Sequence, residues 1–299
     1  MPPMNRRAFI SASVAAALAA SRPSWASEAR HSLDRIGVQL YTVRAAMESD
    51  FGSTLAQVAA IGYKEVEFAG YFGHSPEQLR ATLDKLGLTA PSGHVNYATV
   101  QMMWPQTLDA AHTLGHKFLV CPWIDEKQRQ EPGGYQRAAD LFNKAGDASR
   151  KAGIQFCYHN HSFEFEPLPS LGGQLPYDFL LSALDPKLVN MELDLCWITV
   201  GGRDPLAYFE KYPGRFPLVH AKDWVKDSGI TSKYHGGSDP PVEFSGRLAD
   251  VGGGSVNWKR IFSQSAKGGI QHYFVEQDEP ADAFASIRNS FKFLRALRF

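Results

Sequence analysis

Thiols, net charge and long apolar runs are all scarce in this chain. Only three cysteines, Cys121, Cys157 and Cys196, occur in its 299 residues. An odd number at wide spacing excludes a disulfide framework and a zinc ribbon, which leaves small, buried packing residues as their expected role. Lys plus Arg number 31 and Asp plus Glu number 31, so the formal net charge is zero. Neither a nucleic-acid face nor attraction to an anionic membrane is implied. Beyond the first residues, no stretch is long and apolar enough to cross a bilayer. A Gly-rich phosphate turn after the first predicted strand is also missing, which counts against an open, doubly wound sheet.

What is present begins with an export pattern. Arg6-Arg7 is followed by Ala8-Phe9-Ile10, an Ala-rich apolar run to about Ala20, and Ser24-Trp25-Ala26. Charged start, short apolar core and small residues at the end make residues 1–26 a signal peptide, and the paired arginines give it a twin-arginine (Tat) character. The expected location is periplasmic or secreted, with the export signal as the chain's membrane connection. Tat export carries folded proteins, which suits an enzyme that takes up its metal beforehand.

Residues 30–299 then read as one α/β domain. Hydrophobic residues at 44% are enough for a substantial core. Strands are predicted at residues 36–41, 65–68, 89–94, 118–122, 155–159, 190–195, 218–222 and 272–276, with amphipathic segments between them at 54–60, 77–86, 135–151 and 204–212. Five strands follow a helix end closed by glycine: Gly62, Gly87, Gly115, Gly153 and Gly269. Eight βα units predict closure into a single-domain (β/α)8 TIM barrel. The longest irregular piece, residues 225–256, is expected to cover the active-site face.

The carboxyl ends of barrel strands carry the chemistry of this fold. Here they offer Gln39, Tyr41 and Arg44; Glu65, Glu67 and Tyr71; His94 and Asn96; Trp123; His159, His161 and Glu164; Glu192, Asp194 and Trp197; His220, Lys222 and Asp223; and Glu276 with Asp278. So many polar groups at one mouth are costly without a shared partner, and a divalent cation is the simplest one. Asp194, His220 and Glu276 stand at matching places on strands six to eight, and Glu164 is placed to reach in from the fifth. Three carboxylates and an imidazole suit one Mn²⁺, Mg²⁺, Co²⁺ or Zn²⁺ ion. His159 and His161 fall on the same side of an extended strand. Gln39, Glu67, His94, Trp123, His159 and Lys222 are the expected substrate-binding groups, and Glu164, Glu276 and His161 the expected acid–base groups.

The stretches Gly37-Val38-Gln39-Leu40-Tyr41-Thr42-Val43-Arg44, Gly62-Tyr63-Lys64-Glu65-Val66-Glu67-Phe68, Tyr158-His159-Asn160-His161-Ser162-Phe163-Glu164-Phe165, Glu192-Leu193-Asp194, His220-Ala221-Lys222-Asp223 and Val275-Glu276-Gln277-Asp278 resemble the xylose isomerase-like TIM-barrel superfamily. Within it they are most similar to the sugar phosphate isomerase/epimerase group. The resemblance implies a metal set of Glu, Asp, His and Glu from strands five to eight. Asp194, His220 and Glu276 match the last three. Strand five departs, with His159 where epimerases place Glu, so the first ligand is Glu164 a few residues further on or else His159 or His161, and Trp197 stands where epimerases carry a substrate-binding His.

Metal-assisted proton abstraction next to a carbonyl is the expected chemistry, giving isomerisation or epimerisation of a small sugar or keto-sugar. Loss of a β-substituent would instead cleave a keto-glycoside on the same site. Export favours a substrate without phosphate, although Lys226, Lys233 and Arg247 leave a phosphate contact open. Metal-dependent phosphodiester cleavage is disfavoured by the neutral charge. A non-catalytic carbohydrate-binding barrel is the remaining alternative, and a homo-oligomer is neither required nor excluded. One substitution separates catalysis from binding. Glu276→Gln is expected to abolish turnover while a pure binder would keep its sugar affinity, as measured by steady-state kinetics beside calorimetric titration.

Overall fold

The computed structural model describes residues 31–227, 229–234 and 242–299. The export signal expected at residues 1–26 lies outside the described residues. Among the described residues twelve strands run in chain order: β1 Gly37–Gln39, β2 Glu65–Ala69, β3 Thr89–His94, β4 Phe118–Cys121, β5 Gln155–His159, β6 Val189–Asp194, β7 Leu218–Ala221, β8 Asp223–Val225, β9 Thr231–Tyr234, β10 Val242–Ser245, β11 Arg247–Ala249 and β12 His272–Val275. Eight of them close a parallel barrel in the order β1-β12-β7-β6-β5-β4-β3-β2. These are the eight strands expected from the sequence, with ends shifted by a residue or two.

Helices occupy the expected intervals, including Phe51–Ile61, Pro76–Leu86, Gly134–Lys151 and Pro205–Lys211. The five glycines read as helix ends all adopt positive φ, from 64° at Gly87 to 122° at Gly62. Each turns the chain back at a conformation that costs a side-chain-bearing residue energy.

The pleat sorts the strand residues into two sets. Met191, Leu193, Val219, Ala221 and Val275 join the large core between sheet and helices. Phe118, Val120, Cys157, Leu218 and Phe274 form a separate small cluster. Their alternation with the first set places them inside the barrel. Gly37 makes room there, since a Cβ would stand 2.4 Å from the Phe274 ring. All three cysteines are free and buried, as expected for packing residues. Cys196 sits in the short helix Leu195–Val200.

Residues 225–256 correct the sequence reading. They were expected to be irregular, yet β8 pairs antiparallel with β11 and β9 with β10. Four-residue strands of mixed polarity, such as Thr231-Ser232-Lys233-Tyr234, give too weak an alternation to stand out among glycines and prolines. The base of this arm is tied down by Asp223. Its buried carboxylate accepts from the amides of Trp224, Gly252, Gly254 and Val256 and from the Trp258 indole, at 2.8 to 3.2 Å. Asp223 does not pair with Lys222, because adjacent strand residues face opposite sides.

Removing that carboxylate orphans several buried donors at once. Asp223→Ala is expected to destabilise the protein by at least about 3 kcal/mol, read as a lower urea midpoint, with Asp223→Asn intermediate.

Candidate active site

One pleat position repeated around the barrel assembles a polar layer. Gln39, Glu67 and Ser92 are register partners on β1, β2 and β3. Glu67 accepts from Gln39 Nε2 at 2.8 Å and from Ser92 Oγ at 2.5 Å. His220 on β7 lies between carboxylates, with Nε2 2.7 Å from Glu67 and 3.2 Å from Glu192, and Nδ1 2.8 Å from Glu276. Glu192 Oε2 also stands 2.7 Å from His94 Nε2 and 3.1 Å from His159 Nδ1.

Lys222 heads a neighbouring group. It is fully buried, with Nζ 3.2 Å from Asp194, 2.9 Å from Glu276 and 2.7 Å from Asp278. Asp194 also caps the helix Leu195–Val200, its Oδ1 accepting from the amides of Cys196 and Trp197. Five buried carboxylates, Glu67, Glu192, Asp194, Glu276 and Asp278, thus share one lysine and three imidazoles.

That imbalance moves the titrations. Burial pushes Glu192 up to about 7, with Glu67 beside it adding to the effect. Burial likewise lifts Asp278 to about 7 against the pull of Lys222. For Glu276 burial is outweighed by Lys222 and His220, which hold it far below the usual carboxylate range. Burial would lower His94, but Glu67 and Glu192 prevail and raise it to about 9. His159 and His161 go the other way: burial holds both well below the ordinary imidazole value, so both are neutral at pH 7.

Beside the cluster opens a cavity of about 430 Å³. Tyr41, Tyr71, Trp123 and Tyr234 supply aromatic surface, and His94, His159, His161 and Glu276 supply polar groups. His161 is held between rings, 5.3 Å from Trp123, 5.6 Å from Phe163 and 5.8 Å from Tyr234.

The residues expected from the sequence therefore divide. Asp194, His220 and Glu276 come together, each offering a donor atom within 4.8 Å of the others, and so do His94, His159, Glu192 and His220. His94, Trp123, His159, His161 and Glu276 line the cavity; Gln39, Glu67 and Lys222 do not. They project from the same barrel face but bond to buried neighbours.

Glu164 corrects an expectation. It joins neither donor group, because Tyr158 Oη and the His161 amide take its carboxylate, at 2.5 and 2.8 Å. The chain turns into a short 3-10 helix, Phe163–Phe165, which folds Glu164 back against its own strand. Glu65 opens β2 and pairs with His272 at 2.8 Å, away from the strand's carboxyl end. Lys233 is tied to Glu243 at 2.6 Å on the arm. Trp197 is buried against Lys222, Tyr234 and Phe244.

Sequence reading did not single out Ser92 or Tyr234. The first is a bare hydroxyl in a strand, and the second sits on the arm whose pairing was not legible.

The mixed oxygen and nitrogen donors fit a divalent cation such as Mn²⁺, Mg²⁺, Co²⁺ or Zn²⁺. Glu192 Oε1 supports the fit, being buried without a hydrogen-bond partner among the described residues.

Comparisons with known proteins match the barrel. The family profile described as xylose isomerase-like TIM barrel matches residues 55–297. An inosose dehydratase of Lacticaseibacillus casei is 22% identical over 261 residues, covering 80% of this chain and 85% of that protein. A sugar phosphate isomerase/epimerase from Parabacteroides distasonis superposes with a TM-score of 0.70 at 25% identity, covering 88% of this chain and 93% of its own. A xylose isomerase-like TIM barrel protein from Mycobacterium smegmatis, solved in complex with magnesium, gives 0.63 at 14%, covering 87% and 95%.

Glu164 provides a test of its assigned place. Burial raises its carboxyl to about 7, above its unfolded value. The folded chain therefore binds the extra proton between these values, and the associated stability, full in acid, is lost as pH rises through about 7. Glu164→Gln is expected to gain stability relative to the parent at pH 8 compared with pH 5, as measured by urea unfolding at both.

Proposed function

From the premise that this chain belongs to the xylose isomerase-like TIM barrel family, we propose that it is a divalent-metal-dependent sugar isomerase or epimerase that works by enolisation next to a carbonyl. The observation that carries this reading is the placement of neutral His161 and ionised Glu276 on one cavity wall, beside a buried cluster of carboxylates and imidazoles. A sugar phosphate isomerase/epimerase among similar proteins supports it, and an inosose dehydratase supports the proton removal that isomerisation shares with β-elimination.

The chain's own groups define the steps. Aromatic faces of Tyr41, Tyr71, Trp123 and Tyr234 pack against the sugar's C–H surfaces and exclude water. His94, His159 and Asn96 on the same wall hydrogen-bond its hydroxyls and orient it. His161, kept uncharged by burial, takes the proton from the carbon next to the carbonyl through a ring nitrogen. Glu164 holds the His161 amide and so fixes the turn that carries the base. Glu276, kept ionised by Lys222 and His220, is the second proton acceptor on the wall. His220 and the acidic groups around it would hold a divalent cation, which when bound would supply polarisation of the sugar's carbonyl and hydroxyl oxygens. Returning the proton elsewhere completes isomerisation or epimerisation.

A second reading is cleavage of a keto-glycoside by β-loss after the same proton removal. It is favoured by the cavity's continuation to Ala69, Gly70, Val95, Thr99 and Thr107, which leaves space for a leaving group. The expected export signal favours substrates without phosphate in either case.

Incubation in D₂O with a divalent cation and a panel of free ketoses and 3-keto-glycosides is expected to place deuterium at the carbon next to the carbonyl, detected by NMR. His161→Ala should slow that exchange by at least about 100-fold. Absence of exchange across the panel with cation bound would sink the enolisation mechanism.

A further inference from the structure

The cavity beside the ionic cluster has two unlike halves. One is polar, with His94, His159, His161 and Glu276 on its wall. The other is built on β2, β3 and β4, which are consecutive in the barrel. Its wall is Ala69 and Tyr71 from the end of β2, Val95 and Thr99 after β3, Pro122 after β4, and Thr107 on the helix Trp104–Leu114. We propose that this second half is a subsite for a neutral aromatic aglycone, so that the substrate is an aryl keto-glycoside. The inference rests on the second reading, cleavage of a keto-glycoside by β-loss, and names the class of its leaving group.

Charge and hydrogen bonding define what fits. Among the described residues no acidic, basic or imidazole side chain lines the second half, so no side chain there would neutralise a phosphate or a carboxylate. Its polar side chains are partly spent on helix backbone. Asn96 Oδ1 accepts from the Thr99 amide at 2.8 Å, and Thr107 Oγ1 donates to the Met103 carbonyl at 2.9 Å. A second sugar ring would bury several hydroxyls against this wall with few partners, a cost that an aromatic ring escapes.

The wall is also shaped for a flat group. Tyr71 is braced by buried side chains outside the cavity lining, edge-on to Phe68 at 5.9 Å and stacked on His116 at 6.2 Å. Around it the chain holds three left-handed residues, Gly70 at φ 78°, Phe72 at 50° and Gly73 at 75°. Phe72 is the sole side-chain-bearing residue with positive φ among those described, a strained conformation of the kind that collects at ligand sites. A ring fixed in this way packs best against another ring, offset or edge-on, because neither partner loses much freedom.

Beyond Thr99 and Thr107 the surface stays apolar. Met102 ends the helix Tyr97–Met102, and Met103 joins it to the next. The Met103 amide donates to the Thr99 carbonyl and its carbonyl accepts from Thr107, both at 2.9 Å, so this joint is continuous with the cavity wall. Met102 is 72% and Met103 50% exposed, and among the described residues only Ile230 joins them as an exposed large hydrophobic. Flexible thioethers at this place suit aglycones of varied outline.

Calorimetry on the full chain tests the subsite without turnover. The probes are 4-nitrophenyl and methyl glucosides and galactosides of both anomers, which lack the ketone and do not react. At least one aryl glycoside is expected to bind about 30-fold or more tighter than its methyl counterpart. Thr99→Trp and Thr107→Met, which occupy the space, are expected to bring that ratio below about 3-fold, with folding checked by circular dichroism. The ratio in the parent decides even where a variant misfolds. No aryl advantage in the parent, or an advantage unchanged in both folded variants, would overturn the inference.

Release of 4-nitrophenol from a 4-nitrophenyl 3-keto-glucoside, with Mn²⁺, Mg²⁺, Co²⁺ or Zn²⁺ supplied, tests the reading beneath it. There the C2 proton is removed, the C1–O bond breaks with its electron pair leaving on oxygen, the departing oxygen takes up a proton, and a C1=C2 double bond remains beside the ketone. Aryl preference without release would support the subsite and overturn the cleavage reading. Release without aryl preference would support cleavage and overturn the subsite.

Discussion

The interior of this barrel is organised around His220. Its imidazole lies between Glu67 and Glu192 on one side and Glu276 on the other. Buried carboxylates are tolerated only when paired and hydrogen-bonded, because each loses its hydration. One planar ring with donors at both ends links the carboxylates of three strands. Every other polar group in the layer is arranged with respect to that link: Gln39 and Ser92 hold Glu67, His94 and His159 meet Glu192, and Lys222 holds Glu276.

Around the ionic layer the structure is apolar on both sides. Phe118, Val120, Cys157, Leu218 and Phe274 form the small cluster inside the barrel, and Tyr41, Tyr71, Trp123 and Tyr234 line the cavity. Keeping water away strengthens the interactions within the layer and raises the cost of any mismatch in charge. It also explains how the same cluster holds Glu276 ionised and His159 and His161 neutral. The antiparallel arm contributes Tyr234 to the wall, and Asp223 anchors its base through five donors. Lys222 and Asp223 are neighbours in the chain with unrelated tasks, one balancing the charges of the site and the other tying down the loop that covers it.

Much of this was legible beforehand where periodicity is strong. Eight strand segments and the glycines that end the intervening helices are local features, and they marked the barrel. Polar residues at the strand ends marked the site, because convergence of the strands makes a shared destination unavoidable. The arm was missed because its strands are short and of mixed polarity. Glu164 was assigned to the metal because sequence distance gives reach but not direction; a single 3-10 turn sends it back to Tyr158. Gln39, Glu67 and Lys222 were expected at the substrate, yet they bond to buried neighbours rather than to the cavity.

The sequence by itself determined the barrel and the chemical types gathered at its mouth, since both follow from short-range periodicity and from the inward convergence of parallel strands. Tertiary structure alone decided which donors meet. That Lys222 lies between Asp194 and Glu276, and which ring nitrogen of His220 faces which carboxylate, depend on distances of about 3 Å between residues as far apart in the chain as Glu67 and His220. Those distances are fixed by barrel closure and register, which couple all eight strands at once and which no local pattern records.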